Sequence, residues 1–153
     1  MRAEATSGSR PSPVREPGTA AYAAFSWSIV FLIPHLYWAA GGTAGLDGDA
    51  ITGVLAAINY LAMGFSIAAG ALALALVRAW GALLPRRLLL TGAWAACVIL
   101  SLRGGGGLLQ TLVVALGQSD DDVPTLALVF EPLFLVGGIL FGLAAREYGR
   151  ATR

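Results

Sequence analysis

The chain has 153 residues, of which 57% are hydrophobic and only 12% charged, with a formal net charge of +1 at pH 7. A soluble domain carries about 25% charged residues. Half that charge, at a mean hydropathy of +0.73, excludes a water-soluble globule and a disordered chain. The near-zero net charge excludes bulk attraction to nucleic acid, and a single cysteine, Cys97, excludes a disulfide scaffold. What remains is a small polytopic membrane protein.

Residues 1 to 19 are rich in Pro, Ser, Gly, Arg and Glu and read as a disordered tail, because nothing there can bury a core. The first apolar segment, about 21–40, follows directly. At about twenty residues it exceeds a signal-peptide core of about 7–15, so it reads as a retained span. The small-residue patch Ala39-Ala40-Gly41 keeps a cleaved signal as the alternative. The second segment runs from 53 to 77, and the fourth from 125 to 145. Each matches the roughly 20 residues that a helix needs to cross a hydrocarbon core. None alternates as a barrel strand would, so helices are expected throughout.

The third segment is less regular. Leu88 to Leu102 is unbroken, but Arg103 and four glycines, Gly104 to Gly107, follow it. Glycine costs about 1 kcal/mol relative to alanine in a helix. The expectation is a break or strong kink near Arg103, with the alternative that the helix continues to about 116.

Every basic residue is arginine, and nine of the ten fall in three places: before the first span, between the second and third, and after the fourth. The other two connections carry acids instead: Asp47 and Asp49, then Asp120 to Asp122. Positive loops stay cytoplasmic. The expected fold is therefore all-α, a four-helix antiparallel transmembrane bundle in the plasma membrane with both termini cytoplasmic (N-in/C-in), residues 147–153 forming a short cytoplasmic tail. Arginine in place of lysine, with much Ala, Gly and Leu, points to a bacterial genome of high GC content. Gly138 and Gly142, and Gly64 with Ala68, have spacings that let helices approach closely.

Ionisable and strongly polar residues within spans are costly and therefore informative. Four stand out: His35, Asn59, Arg103 and Glu131. At about 1.5 Å per residue they lie roughly 7, 9, 8 and 9 Å below the outer face of a core about 30 Å thick, one per span. Arg103 keeps its charge and Glu131 is its natural partner, while His35 and Asn59 supply further hydrogen bonds. This layer is either structural glue that sets helix rotation or a small polar pocket for a lipid or amphipathic ligand. An acid/base role for His35 and Glu131 has no nucleophile motif, metal set or phosphate loop to support it. No cofactor or metal is expected. The acidic run Asp120 to Asp122 reads as a solvated turn, and Cys97 as a small buried hydrophobe.

The first span closes on HLYWAAGG, from His35 to Gly42. With LLPRRLLL before the third span, Leu102-Arg103 near its end and EPLFLVGGILFGL in the fourth, the chain resembles the bacterial four-helix membrane proteins of domain-of-unknown-function family 3995 over residues 22–145. The resemblance implies a four-helix integral membrane protein, supplies no activity, and marks His35, Tyr37, Trp38, Gly41 and Gly42 as the signature. It also implies an aromatic, polar stretch after the arginine matched by Arg103, where this chain has four glycines. The functional expectation is an integral membrane protein in contact with the bilayer: a non-enzymatic accessory or ligand-binding bundle. The alternatives are a membrane enzyme acting on lipid or quinone from the outer side, and a small oligomeric transporter. Against a pore within one chain, the inner half of each span is almost wholly apolar, as in ALALALV at 71–77.

Overall fold

A computed structural model describes residues 18–46, 48–117 and 125–153. The tail reading for 1–17, Asp47 and the acidic run 120–122 lie outside those residues. Four helices follow one another: α1 (Thr19–Ala39), α2 (Gly53–Ala75), α3 (Arg86–Ala115) and α4 (Thr125–Ala151), with a short 3-10 turn at Ala79–Leu83 between α2 and α3. No strand occurs among the described residues. All four helices are long and apolar enough to cross a membrane.

The start of α1, the end of α2, the start of α3 and the end of α4 meet at one end of the molecule, here called the arginine end. There Arg78 lies over the Tyr22 ring at 5.8 Å. Arg86 donates through Nε to Thr152 Oγ1 at 2.7 Å, and the Glu147 carboxylate accepts from the Ala20 amide at 3.4 Å. That last contact gives the first-turn amide of Ala20 an acceptor borrowed from α4. Pro85 precedes α3 and accepts from the amides of Leu88 and Leu89, which suits a residue that has no amide of its own to satisfy.

The interior changes character along the bundle. At the arginine end the core is made mostly of small residues, among them Ala20, Ala21, Ala75, Ala93, Ala144 and Ala145, around Leu89. Further along it turns aromatic, with Trp27, Phe31 and Phe141 buried and Phe130 and Phe134 packed against them. Apolar burial at about 25 cal/mol per Å² has no driving force between helices in lipid, so close packing has to hold them together. The α3–α4 contact does so through glycine. A Cβ on Gly138 would strike Ser101 and the Cys97 carbonyl, and one on Gly142 would meet the Cys97 sulfur. Gly64, by contrast, faces open space.

The break expected at the glycines is absent. α3 continues through Gly104 to Gly107 to end at Ala115. Two of the four glycines explain why they are there. A Cβ on Gly104 would strike the backbone of Glu131 and Leu135 at 2.6 Å, and one on Gly107 would overlap the Glu131 carboxyl. Gly105 and Gly106 face open space. Packing against α4 thus overrides the local propensity that would break the helix here.

The four helices are not equally packed. α1 lies along α2, α3 along α4, and α1 joins the two pairs through α4. α2 and α3 touch sparsely, with Leu72 set against Gly92 toward the arginine end. Away from that end they leave room between them.

Candidate functional site

At the end away from the arginines, the space between α2 and α3 forms a cleft of about 590 Å³. Small-molecule sites occupy about 300–1,000 Å³ and are mostly apolar with a few polar groups. Leu55 and Ile58 of α2 form one side, and Gln110, Thr111 and Val114 of α3 the other. His35 and Trp38 of α1 and Leu126, Phe130 and Glu131 of α4 close the back. Leu55, Ile58 and Arg103 are all largely exposed, so the mouth lies between α2 and α3.

Glu131 is only 4% exposed. Both of its oxygens accept from one nitrogen, Arg103 Nη1, each at 2.6 Å. The carboxyl fits because Gly107 has no side chain. The Arg103 side chain is 54% exposed, and its guanidinium lies 4.9 Å from the Phe134 ring centroid, in the range of a cation–π contact. Among the described residues, Arg103 Nε and Nη2 have no protein acceptor. The ion pair therefore uses one corner of the guanidinium and leaves an edge of it unspent.

His35 sits among aromatic rings, 4.7 Å from Phe31, 5.4 Å from Trp38 and 5.9 Å from Phe130 between centroids. Its Nδ1 is 2.8 Å from the Phe31 carbonyl oxygen. A carbonyl can only accept, so in the neutral ring the proton is on Nδ1 and Nε2 carries a lone pair. Asn59 does not line the cleft. It lies behind His35, donating from Nδ2 to the His35 carbonyl at 2.9 Å; its Oδ1 is buried without a hydrogen-bond partner among the described residues. Of the four polar residues singled out in the apolar helices, three thus line one space and the fourth braces the backbone of one of them.

The HLYWAAGG stretch divides into two tasks. His35 and Trp38 line the cleft. The remainder ends the helix: Gly41 has φ +91°, its amide donates to the Trp38 carbonyl, and the Gly42 amide donates to the Tyr37 carbonyl. Such a positive φ is open to glycine at no steric cost. The Tyr37 ring occupies the place where a Gly42 Cβ would stand. Trp38 Nε1 donates to the Ala44 carbonyl at 2.9 Å, and Tyr37 Oη accepts from the Ala44 amide at 3.3 Å. The loop after α1 is thus tied down beside the cleft.

A family profile, described as a protein of unknown function (DUF3995), matches residues 28–141, three quarters of the chain. The chain belongs to the DUF3995 family. The matched region contains His35, Asn59, Arg103 and Glu131 and every residue of the cleft. No curated protein and no solved structure matches the chain.

Sequence reasoning passed over Phe134, Gln110 and Thr111. Phe134 stands three residues after Glu131 and so on the same helix face. Gln110 and Thr111 stand seven and eight after Arg103, two turns along one stripe. The signal was present, but an expected break at Gly104 discarded the stripe that carries it. Among the described residues no three His, Cys, Asp or Glu side chains come together as a metal site.

Proposed function

We propose that this member of the DUF3995 family is a multi-pass protein of the plasma membrane that holds an amphipathic ligand in the α2–α3 cleft without chemically altering it. Its helices run up and down as an antiparallel bundle with both termini cytoplasmic, which places the cleft in the outer half of the bilayer. The topology rests on the arginine end: Arg78, Arg86, Arg87, Arg146 and Arg150 belong to segments that meet there, and cationic segments are retained on the cytoplasmic side.

One observation carries the ligand reading: an open cleft with apolar walls converges on a charged pair of which one member has donors unspent among the described residues. A clasp serving only to join α3 to α4 needs no such space beside it. Glu131, with both oxygens on Arg103, is poorly disposed to act as a general base, which weighs against catalysis at this place.

The test is to purify the chain in mild detergent and weigh it intact by native mass spectrometry, beside Ala127→Trp. Ala127 lines the cleft, and an indole there would fill it. The proposal expects a bound amphipath of discrete mass on the wild-type chain that is absent from the variant. The same adducts on both proteins would overturn it.

A further inference from the structure

We infer that the ligand of the cleft is a phosphate-bearing membrane lipid, with its phosphate held on the Nε–Nη2 edge of Arg103. This rests on the cleft being a ligand site and names what the site reads.

The argument starts from how the guanidinium is used. A guanidinium presents five N–H donors in a rigid plane, and its edges match carboxylate and phosphate oxygens two at a time. Here the carboxylate does not take an edge. Both oxygens of Glu131 close on Nη1 alone, at 2.6 Å each. The Nε–H and the two Nη2–H groups are left without a protein acceptor among the described residues. The Phe134 ring lies 4.9 Å from the guanidinium carbon and offers no acceptor oxygen to the Nε–Nη2 edge. Arg103 is 54% exposed, in a cleft that Gln110, Thr111, His35 and Trp38 also line with polar atoms beside Glu131. Unsatisfied donors at membrane depth are costly, and a phosphate offers the pair of acceptors that this edge fits.

The setting selects a lipid over a free anion. Arg103 and Glu131 together carry no net charge, so the site has little long-range pull on a soluble phosphate. The walls are Leu55, Ile58, Val114, Leu126 and Phe130, and the mouth lies between two helices whose neighbouring positions, Leu61 and Leu109, are exposed apolar residues. Acyl chains can stay in the bilayer while the head enters from the side. Thr111 Oγ1 donates to the Gly107 carbonyl and keeps its acceptor capacity. Together with the His35 Nε2 lone pair it suits a head that also carries hydroxyl groups.

The experiment is a calorimetric titration of the full chain in detergent micelles. The probes are dioctanoyl phosphatidylglycerol, dioctanoyl glycerol lacking the phosphate, and inorganic phosphate. The expected result is saturable binding of the phospholipid, at least about tenfold tighter than the phosphate-free lipid, as one or two charge-assisted hydrogen bonds imply. Inorganic phosphate should not bind at comparable concentration. Arg103→Lys keeps a cation on Glu131 but removes the two-donor edge, and should abolish the preference for the phospholipid. Glu131→Gln leaves the guanidinium uncompensated and should tighten the phospholipid several-fold; a clasp with no ligand role would show no such gain. Equal affinity for the two lipids, or a preference that survives Arg103→Lys, overturns the phosphate assignment. If Ala127→Trp still removes both lipids in that case, the amphipath cleft stands and only its chemistry was misread. If Ala127→Trp leaves binding unchanged, the cleft reading falls and this inference with it. Inorganic phosphate binding as tightly as the phospholipid would overturn the lipid assignment.

Discussion

The Arg103–Glu131 pair is a case in which one missing side chain decides where two charges sit. Glu131 has room for its carboxyl because position 107 is glycine, and the carboxyl meets Arg103 Nη1 because it lies in that space. Removing one member of a buried pair strands the other, at a cost of about 3–5 kcal/mol when both are buried. Arg103 is half exposed, so the loss should be smaller, about 1–3 kcal/mol. We expect Arg103→Ala to lower the unfolding free energy by that amount in a detergent-denaturation titration, and Arg103→Lys to recover part of it. The pairing of Arg103 with Glu131 was legible in the sequence from charge and depth alone, because few neutral solutions exist for an arginine in a span. The corner-on geometry was not legible, since it depends on which nitrogen the carboxyl reaches, and that follows from the packing of Gly107. Nor was the role of Asn59, whose partner is a backbone carbonyl of another helix.

At the scale of the element, α3 is the helix whose reading changed. Local propensity argued for a break at four consecutive glycines. The helix instead runs for 30 residues, because Gly104 and Gly107 stand where α4 comes too close for a Cβ. The two kinds of glycine should therefore respond in opposite ways. Gly107→Ala should destabilise by about 1–3 kcal/mol through overpacking, and Gly104→Ala by at least as much, because its neighbours are backbone atoms that cannot step aside. Gly105→Ala and Gly106→Ala meet nothing and should each stabilise by up to about 1 kcal/mol. A thermal melt of the four variants in one detergent checks the sign. If all four shifted alike, close packing would not be the reason for the glycine run. The elements themselves were legible from apolar length, with ends within a few residues for α1 and α2. α4 runs on to Ala151, past the end of its apolar run at Ala145, because its final turns pack at the arginine end through Tyr148 and Glu147, contacts that hydropathy does not see.

For the whole molecule, two helix pairs are joined firmly on one side and loosely on the other, so that the cleft lies on the loose side. Nothing in the sequence marks which neighbouring helices will part, because α2 and α3 are both apolar around their circumference. Large apolar side chains such as Val54, Leu61 and Phe65 on α2 and Ile99 and Leu102 on α3 are exposed, a surface that only lipid can cover at low cost. The orientation makes its own prediction. In a Cys97→Ala background, Asp49→Cys should react with a membrane-impermeant maleimide on intact cells, whereas Thr152→Cys should react only after the cells are opened. The reverse pattern would invert the bundle and move the cleft to the other leaflet. The most direct measurement of the central claim is photocrosslinking in the native membrane, with p-benzoylphenylalanine at Ile58, which lines the cleft, and at Phe65, which does not. The account predicts that position 58 captures one class of amphipath and position 65 the mixed composition of the bilayer. The same mixture at both positions would show that the space between α2 and α3 is ordinary lipid surface and would contradict the account.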